Sequence, residues 1–328
     1  MAKLNFISAH EKAHKVRHMC LALCVSRSWF YRWRDNAGAR LAKRAKEAQL
    51  VDRIRRVFKA SRQTYGSPRI HRALCAEGWD VSKHRVSTLM KENGIHRKKR
   101  KKQVPVTTDS RHEFGIAPNL LNRRFSASAP DRIWLADITY VPTDEGWLYL
   151  AAIKDMATRE IVGWSMDDHL KSTLCESALR MAILHRNPPP GPIHHSDRGV
   201  QYACNDYRNM LKARRINPSM SRKGDCYDNA PMESFFGSLK TECVHRTRFA
   251  TRKEAKAALF DYIEVFYNRQ RLHSGVGYKT PVQAYAEMMA MAAHRNIVLV
   301  RYWRETSKII TDWKRTRTCA SPGSKHTC

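Results

Sequence analysis

The stretch RIWLADITYV, residues 132–141, decides the fold class that this sequence predicts. Apolar side chains occupy both of its alternating faces, which is typical of a strand in the interior of a sheet. A turn over residues 142–146 leads into two further strands, and helices then alternate with strands. The remaining strands are predicted at 147–153, 160–166, 193–196 and 216–221, and the helices at 171–185 and 205–214. Three hairpin strands followed by alternating helices and strands predict a mixed α/β sheet.

Three carboxylates stand out against this pattern. Asp137 interrupts the first strand, where an acidic side chain needs a cation or a hydrogen-bond network to offset its desolvation. Asp197 follows the strand at 193–196 and lies at the rim of the sheet, beside the first strand if the two strands are parallel neighbours. Glu233 lies in the first turn of a helix that begins near Pro231. An isolated acidic residue is usually a surface residue, so the case for a site depends on all three converging.

The chemistry that fits such a cluster is metal-dependent phosphoryl transfer. Three carboxylates gathered without cations would repel one another and raise their own pKa values. Two Mg²⁺ ions about 3.5–4 Å apart would clamp the attacking and leaving oxygens of a phosphodiester. Mg²⁺ suits the cluster because it takes one or two carboxylates and fills its other positions with water and substrate phosphate. Lys240 lies two helical turns after Glu233 on the same face, where it could hold a phosphate.

The charge of the chain points to nucleic acid as its partner. The 328 residues include 60 Lys and Arg against 30 Asp and Glu, a formal net charge of +30. A compact chain with this charge repels itself unless a polyanion is its usual partner. The excess lies in residues 1–125, which carry +21, whereas residues 126–210 carry −3. Without a run of 18 apolar residues or a secretory signal, the nine cysteines are expected to be reduced thiols of a cytoplasmic protein, and no membrane is expected.

Two small helical regions are predicted before the sheet. Region 1–60 is predicted to hold a helix at 14–24, a turn at 25–28 and a second helix from Trp29, an order that suits a helix-turn-helix. The alternative for this region is a helical hairpin with a solvated basic face.

Region 61–96 is predicted to be a trihelical DNA-binding module. Ser67 and Ser82 mark the starts of two of its helices. Lys83 and Arg85 lie outside the apolar stripe of the second of these helices, where a groove-reading helix carries its DNA contacts.

A basic linker, residues 97–130, is predicted to join the helical regions to the sheet. It begins with six consecutive Lys and Arg residues, and such a run is usually a solvated linker. The same run can also lie along phosphates without reading sequence. The DNA contacts predicted in it are Arg97, Lys98, Lys99 and Arg100.

A cationic turn is predicted near the end of the folded region. The helix before it begins with the capping box Thr251-x-x-Glu254 and carries an apolar core stripe. Arg269, Arg271 and His273 follow that helix and are predicted to touch DNA.

Three blocks of the sequence together resemble the catalytic blocks of IS3-family transposases. They are WLADITY at 134–140, HSDRGVQY at 195–202 and DNAPMESFFGSLK at 228–240, with 35 residues between Asp197 and Glu233. The resemblance covers roughly residues 5–290. Shorter matches are YGSPR at 65–69, YNRQRLH at 267–273 and GYKTP at 277–281.

This resemblance implies a DDE transposase of the OrfB type, with an RNase H-like catalytic core, residues 131–290, similar to that of retroviral integrases. Asp137, Asp197 and Glu233 would then be the catalytic residues and metal ligands, and Lys240 would contact the DNA end. The cofactor would be two Mg²⁺ ions, with Mn²⁺ as a substitute. The reaction implied is 3′ nicking at an element end, followed by attack of the freed 3′-OH on another phosphodiester.

The resemblance also implies partners. The DNA would be the terminal inverted repeats of an insertion sequence and a target, in a bacterial nucleoid. An upstream OrfA product is expected as a partner or as a frameshift fusion. A homo-oligomer on DNA is expected because two DNA ends must be brought together.

Several points stay open at this stage. The residues alone also allow an RNase H-like nuclease or resolvase that cuts without joining, or a catalytically silent DNA-binding regulator. His194 and His195 flank Asp197 and are either close to the metals or a structural pair at a strand end. Ala136 stands where the family usually has Thr, and the basic tail 291–328 has no recognised counterpart.

Overall fold

The computed structural model describes residues 1–97, 114–222 and 226–294. The chain divides into two units, residues 1–97 and 98–328. The first unit is helical. Its helices are α1 (Ala2–His10), α2 (Val16–Ala22), α3 (Arg27–Asp35), α4 (Ala37–Ala60), α5 (Ser67–Ala76) and α6 (Lys83–Glu92).

Helices α1 to α3 pack around a small apolar core. Its buried members are Leu4, Ile7, Met19, Cys20, Val25 and Phe30. Ser26 is the N-cap of α3, and its side chain accepts a hydrogen bond from the Trp29 backbone N–H at 3.2 Å. The predicted order of helix, turn and second helix is present, but α2 is two residues shorter at each end than the predicted 14–24. Helix α3 begins at Arg27, two residues before the predicted start, so the turn is shorter than predicted.

Helix α4 packs with α5 and α6 and supplies the third helix of the predicted trihelical module. Only its C-terminal half is buried, from Leu50 to Val57. Ser82 caps α6 by accepting from the Arg85 backbone N–H at 3.1 Å. The predicted boundary between residues 60 and 61 thus separates helices that pack together. Helix α5 begins at Ser67 with Pro68 in its first turn, but its N-cap residue is Gly66, so Ser67 is not the cap that the sequence predicts. The apolar stripe of α4 begins far inside that helix.

The second unit is built on a five-stranded mixed sheet with strand order β3-β2-β1-β4-β5. Its strands are β1 (Ile133–Thr143), β2 (Gly146–Asp155), β3 (Ile161–Asp167), β4 (Ile193–Ser196) and β5 (Asn217–Met220). Strands β1, β2 and β3 are antiparallel neighbours, whereas β4 runs parallel to both β1 and β5. The predicted mixed α/β sheet is confirmed.

Strand β1 is longer than predicted. It pairs with β2 from Trp134 opposite Asp155 to Thr143 opposite Gly146. The ladder therefore continues through Pro142, and the turn is confined to residues 144–145.

Helices cover both faces of this sheet. The helices of the unit are α7 (Ser172–Arg186), α8 (Val200–Ala203), α9 (Asn205–Ala213), α10 (Ala230–Glu242), α11 (Arg252–Phe260) and α12 (residues 281–294). Trp134 and Ala136 face a core shared with α7 and α9, whereas Leu135 and Val141 face a core shared with α10 and α11. Strand β3 meets α7 closely at Gly163, where a Cβ atom would lie 2.3 Å from the Ala178 carbonyl oxygen.

Helix α11 begins with the predicted capping box. The Thr251 side chain accepts from the Glu254 backbone N–H at 3.1 Å, and the Glu254 carboxylate accepts from the Ala250 backbone N–H at 2.9 Å. Helix α11 continues into a π-helical segment, Asp261–Tyr267. Most of the predicted 291–328 tail, from residue 295, lies outside the described residues. Within the described part of the chain, every helix is too short or too polar to cross a membrane.

Candidate active site

Asp137 and Asp197 are brought together by the parallel pairing of β1 and β4. Leu135 lies opposite His195 in the register of this pair. Asp137 lies two residues beyond Leu135, and Asp197 lies two residues beyond His195, just past the end of β4. Because side chains two residues apart share a face of a strand, both carboxylates lie on the same face of the sheet. Both side chains are half-buried.

Helix α10 contributes the third carboxylate. Pro231 occupies the first turn of α10, which also carries Glu233. The apolar stripe of this helix, Met232, Phe235 and Leu239, is buried in the core that contains Leu135. This packing fixes the helix against β1 and leaves Glu233 half-buried.

Lys240 lies close enough to Asp137 for their charges to interact. Its Nζ is 5.2 Å from the ring centroid of Tyr140, three residues along β1 from Asp137. Burial lowers the pKa of Lys240, although the negative charge of Asp137 acts in the opposite direction. A half-buried ammonium at this position is suited to binding phosphate.

The carboxylates interact electrostatically. Burial, followed by the charge of Asp197, raises the pKa of Asp137 well above its ordinary value, and Glu233 adds to the rise. The Ile138 backbone N–H, which donates to Asp137 Oδ1 at 2.7 Å, and the charge of Lys240 oppose it. The negative charges of Asp197 and Glu233 therefore both act on Asp137.

The donor set of this cluster fits a divalent, oxygen-preferring cation. Carboxylate oxygens are the ligands that Mg²⁺ and Mn²⁺ prefer, and a cation would relieve the repulsion that raises the pKa of Asp137. The Gly199 backbone N–H donates to Asp197 Oδ1 at 2.9 Å and orients that carboxylate. Asp137, Asp197 and Glu233 are therefore the residues that could hold metal.

A second acidic group lies at the end of β3. Across the described residues, Asp167, Asp168 and His169 are the group whose potential ligand atoms all lie within 4.8 Å of one another. His169 Nε2 lies 3.2 Å from Asp167 Oδ2. Asp168 is exposed, and Asp167 and His169 are half-buried.

His194 and His195 form the structural pair that the sequence left as one alternative. Tyr207 Oη lies 2.9 Å from His194 Nε2, and the side chains of Ser219 and Ser221 lie 2.9 and 3.2 Å from the two ring nitrogens of His195. Burial lowers the pKa of His194 to about 3 and that of His195 to about 4. Both rings are therefore neutral and engaged within the sheet and its covering helices.

Sequence analysis does not single out the side chains that hold the start of α10. Asn229 Nδ2 donates to the Ala136 carbonyl oxygen at 3.1 Å, and Lys154 Nζ donates to the Pro231 carbonyl oxygen at 3.1 Å. Lys154 gives no comparable signal, because it and Asp155 follow the predicted strand 147–153, whereas in the structure both belong to β2.

Asp228 anchors the turn that precedes α10. Its buried carboxylate accepts from Arg222, Arg123 and Asn119 at 2.8–3.1 Å. The hydrogen bonds from Arg222 hold the pKa of Asp228 well below its ordinary value. Three side chains therefore bind this carboxylate and fix the turn before α10.

The predicted cationic turn needs a correction. Arg269 is exposed, but Arg271 and His273 are buried. Arg271 donates to both carboxylate oxygens of Glu242, at 2.7 and 2.8 Å. The His273 ring lies against Tyr267, with 4.5 Å between ring centroids. Arg271 and His273 therefore stabilise the second unit and are not available as surface contacts to DNA.

The other predicted DNA contacts lie on the first unit or beyond it. Lys83 and Arg97 are exposed, and Arg85 forms an ion pair with Glu47 of α4. Lys98, Lys99 and Arg100 lie outside the described residues.

Comparison with known proteins identifies the family. Two models described as "Integrase core domain" match residues 127–226 and 233–288, and one described as "HTH-like domain" matches residues 45–103. An uncharacterized 31 kDa protein of insertion element IS600 from Shigella sonnei is 44% identical over 275 residues, which cover 84% of this chain and 100% of that protein. Transposase InsF for insertion sequence IS3A of Escherichia coli (strain K12) is 40% identical over 282 residues, covering 86% of this chain and 97% of that protein. This chain belongs to the IS3 family of transposases.

As an IS3-family transposase, the protein is a DDE-type polynucleotidyl transferase with an RNase H-like integrase core and an HTH-like domain that binds DNA. The HTH-like match begins inside α4, in agreement with the packing of α4 on α5 and α6. Solved structures similar to it include a chain of the simian T-cell lymphotropic virus intasome, with 16% identity, a TM-score of 0.42 and coverage of 65% of this chain and 69% of that one. Another is the HTLV-2 integrase catalytic core domain in complex with magnesium, with 19% identity, a TM-score of 0.37 and coverage of 48% and 97%.

Proposed function

We propose that this IS3-family transposase nicks the 3′ ends of an insertion sequence and transfers them to another DNA strand, with Asp137, Asp197 and Glu233 as catalytic residues and metal ligands. The observation that carries the proposal is the β1–β4 register, which sets Asp137 beside Asp197 where the charge of Glu233 also reaches it. The RNase H-like nuclease without joining is the second candidate, since it would use the same acidic cluster.

The cofactor we propose is a pair of Mg²⁺ ions, with Mn²⁺ as a substitute. One similar solved structure, that of the HTLV-2 integrase catalytic core domain, is a complex with magnesium. When bound, such ions lower the pKa of an attacking water or hydroxyl and stabilise charge on the leaving oxygen. Asp137, Asp197 and Glu233 would hold these ions through their carboxylate oxygens.

The proposed reaction has two steps, and Lys240 would orient the DNA in both. In the nicking step, a water oxygen attacks a phosphodiester at the element end and the 3′ oxygen leaves as a hydroxyl. In the joining step, that 3′-OH attacks a phosphodiester of the second strand, so one P–O bond forms as another breaks. The ammonium of Lys240 would hold a phosphate of the DNA end during both steps, and its half-buried position near Asp137 supports this role.

The partners we propose are the terminal inverted repeats of the element and a target DNA, with OrfA as a separate or fused partner and a homo-oligomer that holds two ends. Exposed Lys83, Arg97 and Arg269 would contact phosphates. Arg85 would first have to leave Glu47. Lys98, Lys99 and Arg100 extend the same basic run in sequence.

The test is a strand-transfer assay with the OrfA fusion, DNA carrying the element ends, and Mg²⁺ or Mn²⁺. We expect Glu233→Gln to lose joining by about a hundredfold or more while DNA binding is retained, since the substitution removes a metal ligand and keeps the side-chain volume. Asp168→Asn, which alters the acidic group at the end of β3, should leave joining unchanged. Joining that survives Glu233→Gln would overturn the site, and cutting without joining in the wild type would favour the nuclease.

A further inference from the structure

Two buried side chains connect the start of α10 to the strands that carry the acidic site. Asn229 joins the helix to β1, and Lys154 joins it to β2. We propose that Asn229 and Lys154 are positioning residues that hold Glu233 in place relative to Asp137. The inference rests on the proposed function, in which both carboxylates bind the same metal centre.

The Asn229 bond joins two residues that are close in sequence to Glu233 and Asp137. Asn229 is the N-cap residue of α10, four residues before Glu233. Its acceptor, the Ala136 carbonyl oxygen, belongs to the residue directly before Asp137. Since Asn229 is 6% exposed, this bond is shielded from water. A displacement of the first turn of α10 along β1 would have to break it.

Lys154 fixes the same turn from the neighbouring strand. It pairs with Leu135 in the β1–β2 register, two residues before Asp137, and is 4% exposed. Its amine reaches the carbonyl oxygen of Pro231, two residues before Glu233. The two bonds therefore hold one helical turn at two points, each on a different strand.

The energetics of Lys154 favour a positioning role over a stabilising one. Its acceptor is an uncharged carbonyl, and burying an amine against a carbonyl costs more than burying an apolar chain of the same length. The nearby charges of Arg159 and Arg271 repel the amine further. A methionine would fill the position at a lower cost, but it could not donate to Pro231.

The experiment compares Asn229→Ala and Lys154→Met with Asn268→Ala in the full chain. Asn268 is a matched control because its buried side chain makes two hydrogen bonds of 3.0 Å to the Ile161 backbone, on β3 and away from α10. Three quantities are measured: Mn²⁺ affinity by electron paramagnetic resonance of free Mn²⁺, the Mg²⁺ concentration for half-maximal strand transfer, and DNA affinity.

We expect Asn229→Ala and Lys154→Met to weaken Mn²⁺ binding and to raise the half-maximal Mg²⁺ concentration, each by about tenfold, with DNA affinity unchanged. Asn268→Ala should change neither metal property, since lost folding alone reduces the active fraction equally at every metal concentration. Lys154→Met decides the question alone if Asn229→Ala does not fold.

Metal affinities and Mg²⁺ dependence equal to those of Asn268→Ala would overturn the inference. A Glu233→Gln variant measured in parallel separates this result from a failure of the proposed function. If Glu233→Gln loses metal binding and joining while the two positioning variants retain both, only the inference fails. If Glu233→Gln itself retains both, the proposed site fails with it.

Discussion

Two charged side chains of the sheet, Asp137 and Lys154, are central to this account of the site. Asp137 interrupts β1, and Lys154 interrupts the adjacent strand β2. Each is a polar group that the sheet buries at a cost, and each is placed where it acts on α10 or on the metal centre. Sequence analysis selects Asp137 because it lies inside a predicted strand, and it misses Lys154 because the predicted strand ends at residue 153, one residue before it.

The pKa of Lys154 leads to a prediction about stability. Burial, followed by the charges of Arg159 and Arg271, lowers that pKa from 10.5 to about 7. Between these two values the unfolded chain binds a proton that the folded chain does not, so the free energy of unfolding rises with pH. Below pH 7 the folded protein bears the full cost of the buried charge.

We therefore expect Lys154→Met to be more stable than the wild type at pH 7, and its advantage to shrink by about 2 kcal/mol between pH 7 and pH 9. Urea unfolding of both chains at several pH values measures the difference. An advantage that stays constant over this range would show that the amine keeps its ordinary pKa in the folded protein.

At the scale of elements, α10 is held at both ends by buried polar groups. Its start is bound through Asn229 and Lys154, and its last residue, Glu242, is bound by Arg271 and by the hydroxyl of Tyr262 at 2.9 Å. The second group ties α10 to the π-helical segment and to the turn after it. The helix that carries Glu233 is therefore fixed by contacts far apart in sequence.

This arrangement predicts that substitutions of two nearby arginines change the free energy of unfolding by very different amounts. Arg271→Ala leaves the buried carboxylate of Glu242 without its cation, and we expect a loss of about 3–5 kcal/mol in the free energy of unfolding. Arg269→Ala, at an exposed position, should change it by less than about 0.5 kcal/mol. Denaturant unfolding of both variants provides the measurement. If Arg271→Ala kept full stability and lost DNA affinity, the DNA-contact interpretation of Arg271 would be restored.

Local sequence signals predict elements well and their distant partners poorly. The bounds of β4 and the N-caps Ser82 and Thr251 follow from patterns within a few residues. The burial of Arg271 does not, because its partner Glu242 lies 29 residues away and both look like surface charges in sequence. The apolar stripe of α4 is also hard to predict from sequence, because only the second half of that helix is buried and its first half is solvated.

At the scale of the whole molecule, the region that holds the HTH-like domain and the region that holds two of the acidic residues differ in net charge. Residues 1–125 carry +21 of the net charge of +30 and include the HTH-like domain, whereas the stretch 126–210, with a net charge of −3, contains Asp137 and Asp197. Convergence of the acidic residues depends on parallel pairing of β1 with β4. Sequence analysis states that pairing only as a condition, because periodicity identifies strands but not their neighbours.

The central claim is that Asp137, Asp197 and Glu233 hold the metal ions of the reaction. Its most direct test is anomalous scattering from crystals of the protein grown with Mn²⁺ and a DNA end. We expect a Mn²⁺ peak in contact with the carboxylates of Asp137 and Asp197, at about 2.0–2.2 Å from their oxygens. No peak beside Asp137, with Mn²⁺ bound instead at the acidic group formed by Asp167, Asp168 and His169, would contradict it.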